Sequence, residues 1–176
     1  VSAKRSFEIV AENEGGWADD KRDRGGRTRW GVSSKAHPGV DLDSLHTFED
    51  ALRVVYVPKY WAPICGEELG EPLDFTVLDA AVHHGTWRAK CWLQSTLGVK
   101  VDGKIGDITL ARVERLKPDT RATAQSFNER RIKFMVDGFR NGSFVDGDLD
   151  LRGETIYLWN FWRRTARISY EIGRTT

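Results

Sequence analysis

Two cysteines, Cys65 and Cys91, are all that the 176 residues contain. Two are too few for a disulfide framework, and neither stands at a metal-ligand spacing from the four histidines. Both sit among apolar neighbours and are expected to be buried thiols. No run of about 18 apolar residues is present, so no transmembrane helix is expected. The opening residues, "VSAKRSFEIVAEN", lack the apolar core of a signal peptide, and synthesis in the cytosol is the expectation. An imbalance of charge is also missing: 27 basic against 26 acidic side chains leave a net charge of +1. That argues against dependence on a nucleic acid partner. The excess that does exist is local. Arg112 to Arg140 holds eight basic and four acidic side chains, a pattern that suits a solvated helix face better than an anionic partner. There is no internal repeat and no low-complexity linker.

What is present reads as a mainly helical chain. Phe7, Val10 and Ala11 recur at helical spacing from about Ala3 to Glu14, and Gly15-Gly16 stops that helix. Arg24-Gly25-Gly26 reads as a tight turn, and Thr28 to Val32 as a small hairpin around Trp30. Thr47, with Asp50 three residues on, forms a capping box that starts a second helix, with Leu52, Val55 and Tyr56 on one face. Further helices are expected over Phe75 to Val82, Thr86 to Leu97 with Gly98 as its end, from Ile108, over Thr120 to Val136, and in "IYLWNFWRRTARISYEI". The length suits one compact domain with two lobes, 1–72 and 73–176.

The densest chemistry lies in "EGGWADDKRDRGGRTRWG", residues 14–31. A carboxyl group at a helix C-terminus feels the negative end of the dipole, which raises its pKa and suits Glu14 to act as a general acid. Asp23 follows nine residues on, in the turn, and Thr28 five further, at the hairpin. A protonated acid, an ionised carboxylate and a water-holding hydroxyl are the parts of a glycosidase site. Asp19 and Asp20 compete with Asp23 for the second role. Arg22, Arg24, Arg27 and Arg29 read as solvated or structural, with stem-peptide carboxylates as other partners.

Seven tryptophans are many for this length. Trp17, Trp30 and Trp61 are candidate platforms for sugar rings, with core packing the alternative; Trp159 and Trp162 read as core. His83 and His84 are adjacent and have no third ligand nearby, so no metal is expected. Arg131, between Phe127 and Phe134, reads as a structural arginine with a carboxylate partner. The C-terminal mixture of aromatics and arginines reads as a core helix with a basic outer face, which leaves peripheral membrane contact as the other reading.

The motif on Glu14, Gly15, Gly16, Asp23, Gly25, Gly26, Thr28, Trp30 and Gly31 resembles the opening motif of glycoside hydrolase family 108, the phage and bacterial N-acetylmuramidases. That family usually places proline between the Asp and the glycine pair, where this chain has Arg24. The Glu, Asp, Thr order is also similar to that of phage-type lysozymes. Tyr60-Trp61 matches the family's Tyr-Trp pair. "FTVLDAAVHHG" matches a segment that commonly has Asn before the glycine; His84 stands there. "WLQSTLGVKVDGKIGDITL" resembles the family's peptidoglycan-binding segment at Leu93, Gln94, Leu97, Gly98, Asp102, Gly103, Gly106 and Thr109.

The resemblance implies an α+β lysozyme-like fold, mainly α, with a small hairpin flanking a cleft. It implies an endolysin that hydrolyses the β-1,4 bond between N-acetylmuramic acid and N-acetylglucosamine, with Glu14, Asp23 and Thr28 catalytic and Trp30, Tyr60, Trp61 and Gln94 on the substrate. No cofactor is needed. Bacterial peptidoglycan is the expected partner, a monomer the expected state, and the cell wall the place of action after release from a host cytoplasm. A lytic transglycosylase and a non-catalytic peptidoglycan-binding module are the alternatives.

Overall fold

The computed structural model describes residues 5–9, 27–140 and 151–174, and the side chains of 139–140 and 151–160 are not among those described. Glu14, Asp23, Trp17 and both glycine pairs lie outside the described residues, as does the side chain of Trp159. The chain is mainly helical, with one two-stranded antiparallel sheet among the described residues.

Helix α1 covers residues 5–9. The hairpin pairs β1 (Thr28–Arg29) with β2 (Val32–Ser33), Arg29 opposite Val32. Its two-residue loop, Trp30 and Gly31, has φ of 52° and 75°. Two positive-φ residues in such a loop match the right-handed twist of the flanking strands. Glycine adopts that conformation freely; tryptophan needs other contacts to hold it there.

Helix α2 (Phe48–Ala51) starts at the expected capping box, with Thr47 accepting from the Asp50 amide and Asp50 accepting from the Thr47 amide. It runs directly into a wider π-helix, Leu52–Trp61, closed by a bond from the Ala62 amide to the Val57 carbonyl. Pro58 lies inside that stretch and has no N–H for an ordinary helical bond. The wider winding accommodates the gap, so the expected helix exists in a different geometry. A 3-10 turn at Ala62–Ile64 and α3 (Gly66–Leu69) follow.

Helix α4 (Leu73–His84) is the axis of the molecule. Nine consecutive residues, Leu73 to Ala81, are buried. A helix can be buried all round only when neighbours cover every face, and α3, α5, α7 and the π-helix do so. Each fully buried Leu, Val or Phe there contributes about 1.5–3 kcal/mol. Gly85 links α4 to α5 (Thr86–Leu97), and Gly98, left-handed at φ 67°, ends α5 by donating to the Gln94 and Ser95 carbonyls. Next come α6 (Asp107–Glu114), α7 (Arg121–Arg140) and α8 (Leu151–Arg174). Asn128 on α7 donates to the Thr165 carbonyl and the Ser169 hydroxyl on α8, fastening the pair.

Two expectations need correction. Cys65 and Cys91 are half-buried thiols rather than buried ones. Trp162, expected in the core, is 46% exposed. The buried stripe of α8 runs through Phe161, Thr165, Ile168 and Ile172, and Trp162 sits one position, about 100° of helix, off it. No helix among the described residues is long and apolar enough to cross a membrane.

Candidate functional site

Of the three expected catalytic residues only Thr28 is among the described residues; it opens β1 and is half-buried. The surroundings of this strand explain its position. Arg27 donates to Asp43 Oδ2 at 3.1 Å and pairs with Oδ1 as well, while Arg29 donates to the Leu42 and Asp43 carbonyls. The Arg27 hydrogen bond holds the Asp43 carboxyl below its ordinary range. These two arginines therefore moor the hairpin to the Leu42–Ser44 turn, the structural one of the alternatives open for them.

The far end of the hairpin is held from the other side. Trp30 Nε1 donates to the Leu45 carbonyl at 3.1 Å, and the Tyr56 hydroxyl donates to the Trp30 carbonyl at 3.0 Å. Rings continue from there: Trp30 to Phe48, Phe48 to Tyr56, and Tyr56 to Tyr60, with centroids 6.5, 6.0 and 5.9 Å apart. Tyr56 also meets Phe7 of α1 edge-on at 6.3 Å. The two described stretches that flank residues 10–26 thus both rest on one side chain.

Tyr60 and Trp61 part company. Tyr60 is half-buried, and its hydroxyl lies 3.3 Å from His37 Nε2. Lys59 Nζ donates to His37 Nδ1 at 2.7 Å, so the ring is neutral with its proton on Nε2 facing Tyr60. Burial, then the Lys59 charge, lowers the His37 pKa. Nothing in the sequence around His37, which stands before Pro38-Gly39, marks it out for this role. Trp61, by contrast, is 4% exposed. Its ring lies 5.3 Å from that of Phe7, and its Nε1 donates to Glu67. A Cβ at Gly66 would stand 2.3 Å from the Trp61 ring, so only glycine fits there. Expected as a sugar platform, Trp61 is a pillar of the core, because the helix phase that exposes Tyr60 turns its neighbour inward.

Gln94 also differs from expectation. It is 1% exposed and makes four hydrogen bonds: Nε2 donates to Asp102 Oδ1 and the Lys104 carbonyl, and Oε1 accepts from the Asp102 and Gly103 amides. Those bonds satisfy the whole amide. Gln94 therefore builds the loop between α5 and α6 rather than presenting polar atoms to a substrate. The loop borders a pocket of about 330 Å³ lined by Gln94, Val99, Lys100, Asp102, Lys104 and the first residues of α6. The Gln94 and Lys104 hydrogen bonds keep the Asp102 carboxyl below its ordinary range.

A buried ionic cluster joins the second half of the chain to α4. Asp79 accepts from Arg131 Nη1 at 2.5 Å and from Arg164 Nε at 2.6 Å. Burial pushes the Asp79 carboxyl up, yet the two guanidinium groups outweigh it and lower its pKa. Arg131 Nε donates to His84 Nε2 at 3.0 Å. His84 is thus a neutral acceptor at the position where the resembling family commonly has Asn. Arg131 has the carboxylate partner that its place in the sequence suggested. Among the described residues no three histidine, cysteine or acidic side chains are arranged to hold a metal ion.

Residues 7–85 match the model of the family described as Glycosyl hydrolase 108, and residues 88–141 match that of a Predicted Peptidoglycan domain. Residues 7–85 thus carry the likeness to glycosyl hydrolase family 108. The hairpin, the aromatic run and α4 all fall inside this family 108 segment, and the Gln94 pocket falls inside the peptidoglycan segment. The two together make the chain a glycoside hydrolase directed at peptidoglycan. No curated protein matched the sequence. Among solved structures, Brucella abortus SagA is similar at 24% identity and a TM-score of 0.68, over 98% of this chain and 96% of that one. At that identity the likeness is one of fold.

Proposed function

We propose that the chain is an endolysin-type N-acetylmuramidase that hydrolyses the β-1,4 bond between N-acetylmuramic acid and N-acetylglucosamine. The observation that carries this reading is the order Glu14, Asp23, Thr28 within the family 108 segment, with Thr28 opening a hairpin moored at both ends. Glu14 donates its proton to the departing sugar oxygen. Asp23 and Thr28 hold a water on the opposite face of the ring, which gives inversion and calls for carboxyl groups roughly 6.5–9.5 Å apart. Among the described residues, half-buried Trp30, two positions from Thr28, and half-buried Tyr60 offer aromatic faces to a pyranose. No cofactor enters the scheme. The enzyme acts as a monomer on the cell wall after release from the cytoplasm in which it is made.

The test is NMR of the first-formed product anomer, together with Asp23→Asn, Asp19→Asn and Asp20→Asn. The reading expects an initial α anomer and a loss of about 10²–10⁴ in turnover for Asp23→Asn alone. An initial β anomer refutes inversion, and full activity in Asp23→Asn moves the second carboxylate elsewhere.

A further inference from the structure

Among the tryptophans whose side chains are described, Trp30, Trp61, Trp92 and Trp162 each pack against another aromatic ring. Trp87 does not. It opens α5 with 66% of its surface exposed, and its indole Nε1 donates to no described residue. It takes no part in the aromatic packing of the core.

The ring is nevertheless held in place. A Cβ at Gly103 would stand 2.8 Å from Trp87 Nε1 and 2.9 Å from its Cδ1, so the pyrrole edge of the indole lies directly on the Gly103 backbone. Any side chain there would displace it. Gly103 is left-handed at φ 70° and buried, although its neighbours Asp102 and Lys104 are exposed. Its amide donates to Gln94 Oε1 at 2.8 Å, and the other three Gln94 bonds fix the loop on either side. The seat under Trp87 is therefore rigid before any ligand arrives, which reduces the freedom lost on binding. Asp102 fastens the loop through Oδ1 alone, which accepts from Gln94 and from the Lys104 amide; its Oδ2 bonds to no described residue.

An indole that is exposed in area, fixed in position and bordered by a carboxylate oxygen combines the two contacts a pyranose uses: an apolar face for its C–H groups and an acceptor for a ring hydroxyl. We infer that Trp87, seated on Gly103, is a carbohydrate platform outside the family 108 segment, which holds a sugar ring of the peptidoglycan glycan strand while Asp102 Oδ2 accepts from a hydroxyl of that ring. The choice of strand rests on the reading of the chain as a peptidoglycan hydrolase, and Trp87 directly precedes the matched peptidoglycan segment, residues 88–141. The platform retains the strand; breaking the bond belongs to the family 108 segment.

The full chain, labelled with ¹⁵N for NMR, is titrated with chitotetraose and separately with the free stem tetrapeptide, which contains no sugar. The Trp87 indole signal is assigned by its loss in Trp87→Phe. Chitotetraose is expected to move that signal and the Asp102 and Gly103 amides, and the tetrapeptide to leave all three in place. Followed on those two amides, Trp87→Ala is expected to weaken chitotetraose binding about tenfold, and Trp87→Phe, which keeps an aromatic face, to restore most of it. Melting curves should match the parent's, since the ring is exposed. A Trp87 signal that chitotetraose leaves unmoved at millimolar concentration, one that the tetrapeptide moves instead, or parental affinity at the two amides in Trp87→Ala overturns the assignment. Digestion of sacculi by the parent separates the two readings. Digestion with no movement of Trp87 removes the platform alone; movement of Trp87 without digestion keeps the platform and removes the hydrolase reading.

Discussion

The Tyr56 hydroxyl donates to the backbone carbonyl of Trp30 at 3.0 Å, while the same ring packs against Phe7. The chain leaves this tyrosine at α1, passes through Glu14 and Asp23, and returns to it at the hairpin. Trp30 keeps a left-handed backbone, φ 52°, at the point of return. Tyr56→Phe removes the hydrogen bond and keeps the ring. It is expected to lower stability by about 1 kcal/mol and to lower turnover on sacculi further than that loss of folded protein accounts for. Denaturant unfolding and a turbidity assay on the same preparation check this; unchanged turnover would detach the Tyr56 clasp from the site.

Gln94 should matter through the loop it builds. Gln94→Leu leaves the Asp102 and Gly103 amides without their acceptor and is expected to cost about 1–3 kcal/mol. Gln94→Glu keeps both acceptors but sets a second carboxylate against Asp102. Its penalty should shrink as the pH falls and that carboxylate gains a proton. Melting curves of both variants between neutral and acidic pH read this directly; a pH-independent penalty for Gln94→Glu would contradict it.

Asp79 stands between Arg131 and Arg164 with no exposure to solvent. Asp79→Asn leaves two buried guanidinium groups short of their charge partner and is expected to destabilise by about 3–5 kcal/mol. The pKa of Asp79 is lowered in the folded chain. Its contribution is therefore fully present above the ordinary aspartate range and is lost as the pH falls through the folded value. Unfolding free energies of parent and variant should converge at strongly acidic pH and diverge at neutral pH.

The paired histidines give acid sensitivity in a different window. Burial, then Arg131, pushes His84 down to about 2; burial, then Arg164 and Arg131, pushes His83 down to about 4. An unfolded histidine titrates at about 6.5, so between about pH 6.5 and 4 the unfolded chain binds more protons and stability falls with pH. His84→Gln retains an oxygen acceptor for Arg131 Nε but takes up no proton. Its melting temperature should therefore decline less steeply over that window than the parent's, and an equal slope would show that His84 is not held neutral.

Local punctuation was what the sequence displayed most plainly. Thr86 to Leu97 is a helix with the expected bounds because Gly85 and Gly98 both hold left-handed or open conformations at its ends. The Thr47–Asp50 box is likewise a contact within four residues. Arg131 was recognisable as structural because a cation between two phenylalanines on one helix needs a partner. That the partner is Asp79, 52 residues away, depends on packing. Trp61, Gln94 and Trp162 resisted reading for the same reason. Whether a large or polar side chain faces a cleft, a loop or solvent is set by helix phase and by neighbours remote in sequence. Pro58 stands in the sequence, but a proline alone does not say whether a helix breaks, kinks or widens to a π-helix around it.

The central claim is that Glu14 supplies the proton that releases the leaving sugar, and mass spectrometry of the fragments that parent and Glu14→Gln release from purified sacculi tests it most directly. Glutamine is nearly isosteric and has no acidic proton to give. The account predicts reducing N-acetylmuramic ends from the parent and a loss of about 10²–10⁴ in their rate of release from a Glu14→Gln protein that melts like the parent. Release by that variant at the parental rate, or anhydro-muramic ends from the parent, would contradict it.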